Sequence, residues 1–326
     1  MRLCNLSRTS LLRNALDNSK HLLKYNSMKK FLILPLFLLT LLVSSCGTTS
    51  TVPVTGRQHT LLVDDAQVLS LSTQQYSQYM QSAKPSADAK NTALVKNVGT
   101  RLANAVETYL KNNGFANEVN NFAWEFNLVA DNQVNAFCMP GGKIVVYEGL
   151  LPVTQDEASL AVVLGHEIAH AVAKHSAEQM STQIKQQYGA QIAAQVLGQY
   201  TSANVATLAG YAAQMGFSFA NLKYSRDNET EADVMGLVFV ALAGYDPRLA
   251  IPFWQRMAAS SGNANKSDLF SDHPSDAKRI ATLQQIMPEA LKFYTPAPAA
   301  TATKATTTKK ATTTKKATTT KTTTKK

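Results

Sequence analysis

Disulfide chemistry is all but excluded by this sequence. Its 326 residues hold three cysteines, Cys4, Cys46 and Cys138, too few and too scattered for a disulfide framework. Long hydrophobic runs are missing as well. The apolar stretch near the start, Phe31 to Val43, is 13 residues, short of the roughly 18 that a membrane-spanning helix requires. A basic interior is the third absence. The formal net charge is +10, yet residues 1–45 carry seven Lys/Arg against one Asp, and residues 296–326 carry eight Lys and no acid. The middle, residues 46–295, is left at −4, so the basic total gives no support to nucleic-acid binding by the folded part. Residues 186–222 lack any charged side chain, and after Tyr294 no apolar residue larger than Ala appears except proline.

What is present begins with a targeting signal. Met28-Lys29-Lys30, the apolar stretch and Ser44-Ser45 before Cys46 are the three zones of a secretory signal peptide. On this reading Met28 is the start, residues 1–27 are a non-native upstream extension and residues 28–45 are the signal peptide. Val43-Ser44-Ser45-Cys46 also resembles a bacterial lipobox, which implies cleavage before Cys46 and lipidation of that residue. Several acyl chains would anchor the protein to a membrane without spanning it. Gly47 in place of Asp implies, by the same resemblance, sorting to the outer membrane.

Residues 46–56, rich in Thr, Ser, Gly and Pro, read as a flexible tether. Helical patterning starts near Asp64 and is clearest in Leu94, Val98, Leu102, Val106 and Leu110, a stripe ended by Gly114. Phe122–Ala130, Gln133–Met139 and Ile144–Tyr147, with the turn Pro140-Gly141-Gly142, suggest a small sheet with a hairpin. Thr154-Gln155-Asp156-Glu157 reads as a capping box opening a helix through Leu160, Val163, Leu164 and Ile168. The uncharged residues 186–222 read as Ala-rich helix, packed or lying on a surface, with membrane contact as the alternative. Further helices follow Asp246-Pro247 and Ser275. Residues 295–326 repeat Ala-Thr-Thr-Thr-Lys-Lys and cannot bury a core, so they read as a disordered Lys/Thr-rich tail. The tail would serve either as a solubilising spacer or as an electrostatic contact to anionic envelope polymers.

The chemistry lies in His166-Glu167-Ile168-Ala169-His170, inside the expected helix. Histidines four apart share a helix face and can grip one ion, while Glu167, one step round, can reach a water on that ion. A chance H-E-x-x-H is expected roughly 0.003 times in a chain with these His and Glu frequencies. A catalytic zinc wants three protein ligands and one open position. His175, five residues beyond His170, would point about 140° away on a continuous helix. His59 falls in the tether region and His21 in the discarded segment. Glu229-Thr230-Glu231-Ala232-Asp233 contains the only E-x-x-x-D in the chain. Glu229 can be the third ligand, and Asp233, one turn on, can hold a ligand imidazole in one tautomer.

Four stretches carry a family likeness. They are Asn135-Ala136-Phe137 with Pro140-Gly141-Gly142; the H-E-x-x-H; Ser225-Arg226-Asp227-Asn228-Glu229 through Asp233; and His273-Pro274 with Arg279-Ile280. In this order they resemble the zinc metallopeptidases of the HtpX, Oma and CAAX-prenyl-protease type, metallopeptidase family 48 of the gluzincin group. The sequence looks most like the lipid-anchored envelope branch, which lacks the spanning helices of the others. The resemblance implies an α+β fold, a mainly helical zincin-like metallopeptidase domain over residues 57–294, with a small β-sheet and hairpin beside the active-site helix. It implies one Zn2+ per chain held by His166, His170 and Glu229, with Glu167 as catalytic base and Asp233 behind the ligands. Cys138 departs from the apolar residue usual between Phe137 and Pro140, and reads as a small buried hydrophobe.

The expected reaction is peptide-bond hydrolysis by a zinc-held water that Glu167 activates. His273 and Arg226 are candidate donors to the oxyanion. His273 could instead occupy the zinc's open position as an inhibitory ligand, or merely cap a turn, and Arg226 could pair with Glu231 or Asp233. Asn135, Ala136 and Phe137 would pair with extended substrate backbone, a recognition mode tolerant of side chains. The expected partners are misfolded or unassembled proteins, the membrane through Cys46, and the outer-membrane assembly machinery, at the periplasmic face of the envelope. The competing reading is an envelope chaperone or assembly factor whose zinc is structural or self-inhibited.

Overall fold

The computed structural model describes residues 48–189, 205–261 and 277–296. Cys46, His273, residues 1–45 and the tail beyond Pro296 lie outside the described residues, as does the middle of the uncharged stretch, residues 190–204.

The chain opens with a hairpin of β1 (Thr48–Thr51) and β2 (Gln58–Leu61), paired antiparallel from Thr48↔Leu61 to Thr51↔Gln58. Residues 48–56 therefore differ from the expected tether. Val52, only 1% exposed, enters the main core and holds the hairpin against the body. Two helices follow, α1 (Asp65–Ser82) and α2 (Ala89–Asn112). Asp64 caps α1 by accepting from Gln67 N, and the Gln67 side chain answers in a capping box. Val95, Val98, Leu102, Val106 and Leu110 form the buried stripe of α2, with Val95 rather than Leu94 taking its first place.

The sheet has strand order β3 (Glu125–Val129), β5 (Lys143–Tyr147), β4 (Ala136–Met139). β4 and β5 form the expected antiparallel hairpin, whereas β3 runs parallel to β5. Both faces are buried, which explains the unbroken apolar run in β5. Ile144, Val146, Ala136 and Cys138 enter the main core on one face. Val145, Phe137 and Met139 enter a second core on the other.

A single helical turn, Leu151–Thr154, precedes α3 (Glu157–Val172). The cap of α3 is Asp156, whose side chain accepts from Ser159 N at 2.7 Å. Thr154 is not that cap, because it ends the preceding turn and Gln155 has φ +66°. Then come α4 (His175–Tyr188), α5 (Val205–Met215), α6 (Arg226–Leu242), α7 (Ala250–Ser261) and α8 (Ala277–Ala290). Among the described residues no helix is long and apolar enough to cross a membrane. The fold is α+β and mainly helical, with α3 packed between α2, α6 and β4.

Candidate metal centre

Helices α3 and α6 cross at two glycines. A Cβ on Gly236 would lie 2.9 Å from His166 N and 3.0 Å from His166 Cα, and one on Gly165 would lie 3.0 Å from Gly236 O. Only hydrogen at both positions lets the two backbones touch. The start of α6 is fixed by Ser225, which accepts from Asn228 N at 3.1 Å. Glu229 and Asp233, one turn apart on α6, therefore face His166 and His170, one turn apart on α3.

The four side chains are buried. Nε2 of His166 and Nε2 of His170 are 3.0 Å apart, Glu229 Oε2 is 3.3 Å from the former, and Glu229 Oε1 is 3.4 Å from the latter. Zinc bonds of about 2.0 Å in tetrahedral array place neighbouring donor atoms about 3.3 Å apart. The donor triangle fits that edge length. Two imidazoles and one carboxylate are also the donor chemistry of a zinc site with an open position. Among the described residues, His166, His170 and Glu229 are the one set of three such groups converging closely enough to hold an ion.

Each imidazole is held from behind. His166 places Nδ1 2.9 Å from Asp233 Oδ1, and Nη2 of Arg279 donates to the same oxygen at 2.6 Å. Arg279 in turn lies 3.6 Å over the Trp254 ring. Burial and the Arg279 charge push the His166 pKa down, but hydrogen bonds to Asp233 and Glu229 outweigh them and carry it up to about 9. An incoming cation must displace that proton. For His170, burial dominates and holds the pKa well below the ordinary imidazole value, so its ring is neutral. Tyr224 stacks on His170 with centroids 4.0 Å apart, and its hydroxyl sits 2.8 Å from Ser176 Oγ. Nδ1 of His170 meets Nδ1 of His175 at 2.9 Å, and His175 Nε2 meets Glu231 Oε2 at 3.0 Å.

His175 was expected to point away, and it points in because the helix breaks. Lys174 adopts φ +56°, ψ +33°, a left-handed conformation that turns the chain between α3 and α4. That conformation costs roughly 1–2 kcal/mol in a residue other than glycine. Ion pairs from Lys174 Nζ to Asp65 at 2.7 Å and Glu118 at 2.9 Å hold it there.

The other candidates are placed as follows. Glu167 is 1% exposed on α3. Burial raises the Cys138 thiol and the Tyr224 phenol, and the Glu167 charge adds to both. Arg226 lies exposed on the first turn of α6, and the guanidinium beside Asp233 belongs to Arg279. Asn135, Ala136 and Phe137 lie at and in edge strand β4. Tyr147 N donates to Asn135 O, which sets the ladder so that Asn135 and Phe137 bond toward β5 while Ala136 and Cys138 turn outward. The Phe137 ring points into the second core, away from α3.

Two histidines one turn apart and a carboxylate from a second helix, with a buried glutamate adjoining, could hold one metal ion, in the H-E-x-x-H arrangement. The family model for Peptidase family M48 matches residues 90–287, and the chain belongs to that family. It is similar to "Mitochondrial metalloendopeptidase OMA1" of Schizosaccharomyces pombe, 37% identical over 169 residues, covering 51% of this chain and 48% of the relative. "Metalloendopeptidase OMA1, mitochondrial" of Bos taurus is 31% identical over 279 residues, covering 84% and 52%. "Putative beta-barrel assembly-enhancing protease" of Vibrio cholerae is 30% identical over 160 residues, covering 48% and 33%. The chain thus spans about half the length of these relatives or less.

Proposed function

We propose that this protein is a zinc-dependent metalloendopeptidase of the bacterial cell envelope that cleaves misfolded or unassembled proteins. The observation that carries the reading is the triangle of His166 Nε2, His170 Nε2 and Glu229, sized for one tetrahedral cation. A zinc ion held there would lower the pKa of a water toward neutrality and polarise the scissile carbonyl. Glu167 is the general base: its carboxylate takes the proton of the attacking water and returns it to the leaving amine. Asp233, accepting from His166 Nδ1–H, leaves Nε2 of that ring as the nitrogen that faces the metal.

Substrate backbone adds to the outer edge of β4, to which Ala136 and Cys138 turn their backbone groups. Ala136 N–H already donates to Asn135 Oδ1 at 2.8 Å, so the Ala136 carbonyl and the Cys138 backbone carry the pairing. Main-chain pairing is indifferent to side chains and suits unfolded substrates. Cys46 is the proposed lipid anchor, and His273 is a further candidate in catalysis or inhibition; the sequence carries both. The envelope and its outer-membrane assembly machinery enter through the lipobox pattern at Val43–Cys46 and the name of the Vibrio cholerae relative.

Purified protein is expected to contain one zinc and to cleave unfolded casein. Glu167→Gln should keep the zinc and lose activity by at least about 100-fold. Undiminished cleavage by Glu167→Gln would exclude this mechanism, and a zinc-loaded wild type that binds unfolded casein without cleaving it would favour the chaperone reading instead.

A further inference from the structure

We infer that Arg57, on the N-terminal hairpin, is a positioning residue for the metal centre. Its guanidinium fixes the sense of a hydrogen-bond chain that leaves Nε2 of His170 without a hydrogen, its lone pair turned to the cation position. The inference rests on the proposed metal site and adds to it a distant residue.

The chain can be followed atom by atom. Arg57 Nε donates to Glu231 Oε2 at 2.7 Å, while Nη1 and Nη2 donate to Glu178 Oε1 and Oε2 at 2.9 and 2.8 Å. Thr55 donates to the other Glu231 oxygen. Glu231, 7% exposed, is held as a carboxylate by these donors. A carboxylate only accepts, so His175 Nε2, 3.0 Å away, must carry a hydrogen. In neutral His175 the other nitrogen, Nδ1, is then bare and accepts. His170 Nδ1, 2.9 Å away, must supply that hydrogen, and His170 Nε2 is left with its lone pair toward His166 and Glu229. His175 is fully buried, so no solvent contact competes for either nitrogen.

The fold delivers Arg57 to this place. Val52 N donates to Arg57 O at 2.8 Å and Gly56 N to Val52 O at 3.0 Å, closing the loop between β1 and β2. Val54 and Gly56 both take positive φ, +69° and +72°, to make that turn. Arg57 thus spans 174 residues of sequence to Glu231 and 121 to Glu178. Asn228 Nδ2 also donates to Glu178, at 3.2 Å, which ties the Arg57 box to α6. Without the guanidinium, Glu231 is free to turn from His175. The two imidazoles can then run in the opposite sense, with a hydrogen on His170 Nε2 where it blocks a cation.

The alternative is that Arg57 only fastens the hairpin to the body, and metal affinity separates the two roles. The wild type and His170→Ala are compared first for zinc content, which tests the metal site itself. Zinc affinity by chelator competition is then expected to fall about 10- to 100-fold in Arg57→Met whose near-UV circular dichroism is unchanged, with partial recovery in Arg57→Lys. Long-range 15N spectra of histidine-labelled wild type should place hydrogens on His170 Nδ1 and His175 Nε2. A folded Arg57→Met with wild-type zinc affinity overturns the inference, and so does a hydrogen on His175 Nδ1. If Arg57→Met does not fold, the wild-type spectra decide alone. If the wild type takes up no zinc, the proposed function fails, while the spectra of the metal-free protein still decide the order of the hydrogens.

Discussion

The two imidazoles of the metal centre stand 3.0 Å apart, yet they are held by opposite ends of the chain. His166 is supported in one step by Asp233, backed by Arg279 from α8. His170 is supported in two, through His175 to Glu231, backed by Arg57 from the N-terminal hairpin. Both supports run from imidazole to carboxylate to guanidinium. They differ in solvent: the Arg279 side chain is 4% exposed and that of Arg57 is 34%. A short, dry support is strong and unforgiving, because removing one charge strands another. A longer support that ends near water is weaker but open to adjustment from outside the site.

That contrast predicts unequal mutants. Asp233→Ala should be the most damaging, since it takes the 2.6 Å carboxylate partner from buried Arg279; among the described residues Glu229 Oε2, at 3.7 Å, is the next acid. Urea unfolding should show a loss of about 3–5 kcal/mol. Glu231→Ala should cost less, because Arg57 keeps Glu178 and water. Equal losses would erase the distinction between the two supports. Asp233→Ala also removes part of a pH effect. In the metal-free protein the His166 pKa, lowered by burial and Arg279 but raised further by Asp233 and Glu229, stands at about 9. Its contribution to stability is full below about 6.5 and is lost as pH rises through about 9. Metal-free wild type should therefore weaken over that range, and Asp233→Ala should weaken less.

Gly236→Ala tests what the supports share. Its Cβ would meet the His166 backbone at 2.9 Å, and backbone has nowhere to go inside a helix pair. A loss of about 1–3 kcal/mol is expected in thermal or urea unfolding. Zinc affinity should fall too, since Glu229 and Asp233 both move relative to α3. Gly210→Ala is the control. Gly210 is exposed in α5 with nothing within 4 Å of an added Cβ, and alanine there should stabilise by up to about 1 kcal/mol.

The half of the centre that could be read in the sequence is the local half. His166, His170, Glu229 and Asp233 are one helical turn apart in pairs, and helical spacing alone puts each pair on one face. The α2 stripe, the β4–β5 hairpin and a helix start near Asp64 were legible from equally local patterns. The support of His170 was not. Reading α3 straight through Lys174 turned His175 away, and only ion pairs to Asp65 and Glu118, far off in sequence, explain why a lysine adopts the left-handed turn. Arg57 lay in or beside Thr/Ser/Gly-rich sequence that carries no strand periodicity, so neither its hairpin nor its partners were visible. Thr154 and Asp156 both had capping chemistry, and the backbone at Gln155 decided between them. Arg279 was in view as a motif residue, but nothing local showed that it, rather than Arg226, would stand behind Asp233.

The smallest predicted effect concerns the open-ended support, in acid. Burial raises the Glu231 pKa, but hydrogen bonds from His175, Arg57 and Thr55 outweigh it and lower it to about 2. A depressed carboxylate stabilises the fold fully above its unfolded value of about 4.5, and that stability is lost as pH falls toward about 2. Arg57→Met removes one of the three donors, so its Glu231 titrates closer to the unfolded value and has less to lose. The gap in melting temperature between wild type and Arg57→Met should therefore narrow from pH 5 to pH 3. Glu178, also held low by Arg57 against the effect of burial, moves the gap in the same direction. A gap that stays constant across this range would mean that Arg57 acts on the hairpin alone and lends no charge to the carboxylates behind His170.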